Sequence, residues 1–312
     1  MRITRRQVLA PAQAMFAPVQ ELINAFEFES IAQRKLDAAL YKEIAGSDRS
    51  AFDRMTFRPR MMVNTTKLDL TLDLFGQNML APILIGPTSE QKRFHPDGEL
   101  AMARGASAAK TAMVISSRAS FPAEQIAAQA KTTIWYQVYN APDMVARAQD
   151  AVKCGCKAVC LTLGSPKEPA DWRAIDHLRG TIGVPFLLKG IMSPEAAQTA
   201  VKRGVQGIVV SNGTGASPID VLPSVADAVA GKVPILIDGG FRRGSDILKA
   251  LALGASAVLL GRPALWALAA YGAEGVQRLL ELLQTELARD MAMCGRPNLK
   301  SIDRSVVKIH LR

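Results

Sequence analysis

Eight short apolar runs in this sequence end in residues able to bind or polarise a ligand. The endings are Pro87-Thr88-Ser89, Ser116-Ser117, Gln137 with Tyr139, Thr162, Lys189-Gly190, Ser211-Asn212, Asp238-Gly239-Gly240 and Gly261-Arg262. Any one of them reads as a cap or a turn, but the same kind of ending on every run argues for a shared site. Two of them suggest a phosphate. In Asp238-Gly239-Gly240-Phe241-Arg242-Arg243-Gly244 and in Gly261-Arg262, glycine lets backbone N–H groups approach an anion and arginine offers forked donors. Lys189 closes the fifth run with a positive charge, which would stabilise negative charge developing on a bound ligand.

Such residues share a site only if the runs end on one face. The runs fall at Pro82–Gly86, Ala112–Ser116, Thr133–Val138, Ala158–Leu163, Pro185–Lys189, Gly207–Ser211, Pro234–Asp238 and Ser256–Leu260. Ile208-Val209-Val210 and Ile235-Leu236-Ile237 are apolar on both faces, as in a strand covered on both sides of a parallel sheet. Alanine-rich stretches of helical spacing separate the runs. Ser193-Pro194-Glu195 opens one of these helices and Gly204 closes it, while Gly254 closes another. The expected fold is therefore α/β, a (β/α)8 TIM barrel whose ligands gather at the C-terminal ends of the strands. No GxGxxG follows the first strand, which argues against a dinucleotide-binding doubly wound sheet. Residues 1–80 are expected to form a helical segment and lid within the same domain, with a helix over Phe26–Tyr41 and a strand pair or extended lid over Asn64–Leu74. Residues 81–312 are expected to form the barrel.

Composition narrows the partners. The 312 residues are 49% hydrophobic, enough for one large core, and the formal net charge is +10. The Lys and Arg residues are scattered and aromatics are only 5%, so an anionic small molecule is the expected partner and nucleic acid is not. The four cysteines, Cys154, Cys156, Cys160 and Cys294, lack a second pair at zinc-ligand spacing and read as core thiols, with no metal expected. No apolar run is long enough for an integral membrane segment. Thr4-Arg5-Arg6-Gln7-Val8-Leu9 looks like a twin-arginine export signal, but Gln13, Gln20 and Glu21 interrupt its apolar part. A cytoplasmic protein with a basic N-terminal helix is the expectation, and export is the alternative.

Phe57-Arg58-Pro59-Arg60, Ile85-Gly86-Pro87-Thr88, His95-Pro96-Asp97-Gly98-Glu99, Leu188-Lys189-Gly190, Val210-Ser211-Asn212, Asp238–Gly244 and Gly261-Arg262-Pro263 resemble the FMN-dependent α-hydroxy-acid oxidase and dehydrogenase family, from about residue 26 to the C-terminus. The resemblance implies that Pro87, Thr88, Ser89, Ser116, Gln137, Thr162, Lys189, Ser211, Asp238, Gly239, Gly240, Arg242, Gly261 and Arg262 line FMN. It implies that Tyr139 lies beside the substrate and that Tyr139 and Lys189 serve catalysis. It also implies a homo-oligomer.

The departures fall on the chemistry. Where the family has Ser-Asn-His-Gly, this chain reads Ser211-Asn212-Gly213-Thr214, so the proton-accepting histidine and the arginine after it are missing. The loop after the fourth strand, Gly164-Ser165-Pro166-Lys167-Glu168-Pro169, is short and lacks the family's other substrate arginine. The family's active-site tyrosine near the N-terminus aligns with Glu43. Arg118, where the family usually has tryptophan, is the replacement candidate for binding a substrate carboxylate, and Lys167 is the second. His95, His177 and His310 read as structural or remote, and Glu43 as an exposed helix residue or a carboxylate base. The expected function is FMN-dependent oxidation of a small 2-hydroxy acid or related compound, by hydride transfer to FMN with a non-standard proton acceptor. The alternative is an FMN-binding barrel of different redox chemistry, or one without catalytic activity.

Overall fold

A computed structural model of the chain describes residues 16–46, 48–164, 170–212 and 217–310. Arg5 and Arg6, Lys167 and the Gly213–Ala216 stretch lie outside the described residues. The N-terminal part holds α1 (Ala25–Lys35), α2 (Ala38–Ile44), the single turn α3 (Ser50–Asp53), β1 (Met55–Phe57) and the strands β2 (Leu72–Leu74) and β3 (Gln77–Met79). The one helix expected over Phe26–Tyr41 is thus two. Leu36 is extended, and the Asp37 side chain accepts from Leu40 N at 2.9 Å, capping a new helix where the old one would have continued.

The eight runs form β4 (Ile83–Ile85), β5 (Ala112–Ser116), β6 (Ile134–Tyr139), β7 (Val159–Thr162), β8 (Phe186–Ile191), β9 (Gly207–Val210), β10 (Ile235–Asp238) and β11 (Ala257–Leu260). They close into one parallel barrel in the order β10-β11-β4-β5-β6-β7-β8-β9. Seven helices follow them: α4 (Gly98–Ala108), α5 (Ala123–Gln129), α6 (Met144–Lys153), α7 (Trp172–Thr181), α8 (Pro194–Lys202), α9 (Pro218–Val229) and α10 (Gly244–Ala252). The long α11 (Arg262–Met293) completes the ring and kinks at Tyr271-Gly272. Gly272 has φ +59°, and a Cβ there would come within 2.9 Å of His95 Nε2. The kink and the His95 ring are therefore packed on each other.

The caps read from sequence are in place. Ser193 accepts from Ala196 N at 3.2 Å at the start of α8, and Gly204 and Gly254 take positive φ just past α8 and α10. The last strand, β12 (Val307–Ile309), pairs antiparallel with β1 and ties the end of the described chain to its N-terminal part.

Two apolar layers hold the barrel. Outward-facing strand residues such as Ile115, Leu161, Leu188, Ile208 and Ile237 pack under the helices. Inward-facing Leu84, Val114, Trp135, Cys160, Leu187, Val209, Leu236 and Leu259 fill the centre. The Asn64–Leu74 stretch contributes only Leu72–Leu74 to a strand, and the hairpin it begins is not a lid over the ligand face. Leu74 and Met79 join the inner cluster, and Phe75 lies against Trp135 with ring centroids 5.7 Å apart. Phe75 also reaches Gly207, the first residue of β9, so the hairpin seals the N-terminal end of the barrel. Its hydrophobic tip explains the side chosen: Leu74, Phe75 and Met79 bury against an apolar floor, whereas the opposite face is polar. No helix among the described residues is long and apolar enough to cross a membrane.

Candidate active site

Strand periodicity positions the site. Trp135, Cys160, Leu187, Val209 and Leu236 face inward, so Gln137, Thr162, Lys189, Ser211 and Asp238, two residues further along each strand, face the same way. A polar layer thus caps the apolar core at the C-terminal ends. Ser116 Oγ donates to Gln137 Oε1 at 3.1 Å, and Gln137 Nε2 donates to Thr162 Oγ1 at 2.8 Å. Ser89 Oγ stands 3.4 Å from Ser116 Oγ. Lys189 Nζ donates to Ser211 Oγ and to Asp238 Oδ2, and Ser211 Oγ donates to Asp238 Oδ2 at 2.9 Å. The two acceptors fix the position of the Lys189 side chain at the C-terminal ends of the strands. Cys160 lies one step below. Burial pushes its thiol up to about 12, which makes it a core residue rather than a nucleophile.

On the β10–β11 side lies a cleft of about 650 Å³ bordered by Gly86, Pro87, Thr88, Asp238, Gly239, Gly240, Arg242, Gly261 and Arg262. Gly239 and Gly240 both have positive φ, at +96° and +84°, and a Cβ on Gly240 would fall 2.6 Å from the Phe52 ring. A Cβ on Gly261 would meet nothing nearer than Thr88 Cγ2 at 3.9 Å, so that space is open. Arg242 is only 2% exposed and has its Cζ 4.4 Å from the centre of the Trp266 ring. Burial, then the charge of Arg262, pushes its pKa down to about 10, which leaves it fully charged at neutral pH. Nη1 donates to Phe241 O at 2.8 Å, while Nη2 is buried with no hydrogen-bond partner among the described residues. A buried charge with an unused donor is costly unless an anion meets it. A phosphate group fits the buried donor, the glycines and the N-terminus of α11 together. Arg262, the first residue of that helix, donates from Nη1 to Ala45 O at 3.1 Å.

Sequence reasoning missed what holds this loop. Asp246 is buried, and its Oδ2 accepts from Arg242 N at 2.9 Å and Arg243 N at 3.0 Å as well as from Arg49 Nη2. The available signal was Asp246 at the third position of the helix that Arg243 opens.

Across the mouth, over the ends of β6–β8, lies a second cleft bordered by Arg118, Tyr139, Thr162, Leu163, Gly164, Gly190, Met192 and Ala196. The Arg118 guanidinium stacks on the Tyr139 ring at 4.0 Å, and Arg118 N donates to Ser116 Oγ at 3.1 Å. Arg118 and Tyr139 are therefore brought together beside the polar layer. The remaining candidates stand elsewhere. Glu43 is exposed and holds a forked ion pair with Arg93, at 2.9 and 2.5 Å. His95 Nδ1 accepts from Asp97 N at 3.1 Å, and burial lowers its pKa. His177 is exposed on α7, and His310 Nε2 lies 2.8 Å from Thr56 Oγ1. Among the described residues no three His, Cys, Asp or Glu side chains converge as a metal site.

The sequence profile of a family described as FMN-dependent dehydrogenase matches residues 36–169 and 164–309. This chain belongs to the FMN-dependent dehydrogenase family. It is similar to glycolate oxidase 3 of Arabidopsis thaliana, with 34% identity over 358 aligned positions, covering 92% of this chain and 96% of the relative. Similarity to glycolate oxidase of Spinacia oleracea is also 34%, covering 91% and 95%. A crystal structure of mandelate oxidase superimposes with a TM-score of 0.87 at 32% identity, covering 93% of this chain and all of that one. A flavocytochrome b2 structure gives 0.90 at 27% identity, covering 97% and 90%. The cofactor of the family is FMN, and the donor set described above suits it: a phosphate cradle at β10–β11 and a polar layer with a fixed cation for the ring.

Proposed function

We propose that this family member oxidises a 2-hydroxy acid to the 2-oxo acid. Bound FMN supplies the acceptor for the hydride, the hydrogen and its two bonding electrons, that leaves the carbinol carbon. Arg242, Arg262, Gly239, Gly240 and Gly261 hold the phosphate. Pro87, Thr88, Ser89, Ser116, Gln137 and Thr162 line the ring. Ser211 and Asp238 hold the Lys189 side chain in place, so that negative charge arriving at the ring meets a cation already oriented. Arg118 binds the anionic substrate's carboxylate, and Tyr139, which Arg118 overlies, presents its phenol to the substrate hydroxyl. With glycine at position 213, the hydroxyl proton leaves to water at the open mouth, which costs roughly 10²–10⁴-fold in rate against a positioned base.

The observation that carries this reading is the pairing of Arg118 with Tyr139 next to the layer built on Lys189. The test is an anaerobic visible spectrum of the flavin-loaded protein during addition of 2-hydroxy acids. Bleaching of the oxidised flavin band is expected, and an unchanged band with every acid removes the proposal. Gly213 favours a second reading, a donor that needs no proton acceptor, such as a reduced nicotinamide; bleaching by that donor alone would select it. We further propose a cytoplasmic homo-oligomer in which residues 1–80 and 81–312 form one unit. Light scattering, limited proteolysis and a reporter fused to residues 1–30 test these points, and export of the reporter would replace the cytoplasmic assignment.

A further inference from the structure

We infer that the cleft over β7 and β8 binds the apolar substituent of the substrate, so that the preferred 2-hydroxy acid carries a large hydrocarbon group on its carbinol carbon. This rests on the hydroxy-acid reading above and names the substrate class for it. The walls of the cleft come from two layers. Leu163 and Gly190 belong to the barrel ends, whereas Ala170, Met192 and Ala196 come from the segments that begin α7 and α8. Beneath them Leu161 and Ile175 are buried, so the base of the cleft is hydrocarbon.

Three features connect this space to the reacting carbon. Tyr139 and Thr162 border the cleft, and Thr162 is also hydrogen-bonded into the polar layer, so the cleft opens directly off that layer. Strand β8 shifts register between Lys189 and Ile191, with Gly190 at φ +107°. A Cβ on Gly190 would lie 3.4 Å from Leu163 Cβ and begin to fill the inner end, so glycine keeps it open. Charge is confined to the rim. Arg118 stands there over Tyr139, while Asp171 Oδ1 is turned to its own helix, accepting from Arg173 N and Ala174 N at 3.1 Å each.

A carboxylate at Arg118 with its tail along Leu163, Met192 and Ala196 satisfies both kinds of wall. A hydrogen or methyl substituent would leave those side chains wet. At the outer end Arg118, Asn140, Gly164 and Asp171 are exposed. Burying one methylene tightens binding about four-fold, so a six-carbon acid should outbind acetate by on the order of 100-fold.

The test uses flavin-loaded protein and carboxylates that cannot be oxidised: acetate, butanoate, hexanoate and phenylacetate, titrated by calorimetry. Affinity is expected to climb with the tail. Ala196→Phe, and independently Ala170→Leu from the facing wall, should flatten that climb at least ten-fold for hexanoate, with the flavin absorbance of each variant confirming the fold. Flavin bleaching by glycolate and by 2-hydroxyhexanoate is measured alongside. Bleaching by both acids with no tail dependence in binding overturns the cleft and leaves the hydroxy-acid reading standing. Tail-dependent binding, lost in the variants, with no bleaching by any hydroxy acid keeps the cleft and removes that reading.

Discussion

The two halves of the barrel mouth are built differently. On the β10–β11 side the loop is buried and pinned: Asp246 gathers the backbone of Arg242 and Arg243, and Arg242 sits over the Trp266 ring with one donor unused among the described residues. On the β6–β8 side the key cation, Arg118, is exposed, with its guanidinium over the Tyr139 ring. The first half spends fold stability on keeping a charge in a fixed place. The second is shaped by short segments that tolerate change. Cofactor and substrate affinity should therefore respond to mutation almost independently.

That separation can be broken or sharpened in steps. Lys189→Met should have the largest effect. It removes the ammonium group and strands Asp238, and flavin reduction should slow by roughly 10²–10³-fold in stopped flow. Retention of the wild-type rate would mean that the cation has no part in the reaction. Arg242→Met should come next, weakening FMN by roughly 10–150-fold in a fluorescence titration, the range for a charge-assisted hydrogen bond. If KM for the donor changed while FMN stayed bound, the two halves would not be separate. Arg118→Met should raise KM about ten-fold and leave FMN affinity unaltered, as the removal of an exposed ionic contact to substrate would do. A smaller signature is expected in pH dependence. With water rather than a histidine of ordinary pKa near 6.5 accepting the proton, the reduction rate should lack the sigmoidal rise centred near pH 6.5 that such a base would impose. Glu43→Gln should change least, within about three-fold in rate, because Glu43 is exposed and occupied by Arg93.

The barrel was legible because its signal is repeated. The strand expected at Ala112–Ser116 has those same bounds, and the others differ by a residue or two at one or both ends. Strand β8 runs past Lys189 because Gly190, which reads as a terminator, is a bulge inside a continuing strand. The broken N-terminal helix was not read because Asp37 sits in an otherwise helical pattern and acts only through its cap. The floor hairpin was misplaced although Asp73, Phe75 and Gly76 mark its turn: Gly76 N donates to Asp73 Oδ1 at 3.0 Å. Periodicity brought the polar layer together on paper, since every member lies two residues beyond a core position. It could not divide the work of neighbouring arginines. Arg242 faces the cleft from a buried position, whereas Arg243 is bound to Glu286 at 2.9 Å, far along the chain.

The sealed floor of the barrel has a consequence for traffic. With Phe75 and Trp135 stoppering one end, everything that reaches the ring must come and go by the same door. A donor seated there blocks the next visitor, whether that is oxygen or a protein that collects electrons. Turnover should then run as two alternating visits, and double-reciprocal plots at several acceptor concentrations should be parallel lines.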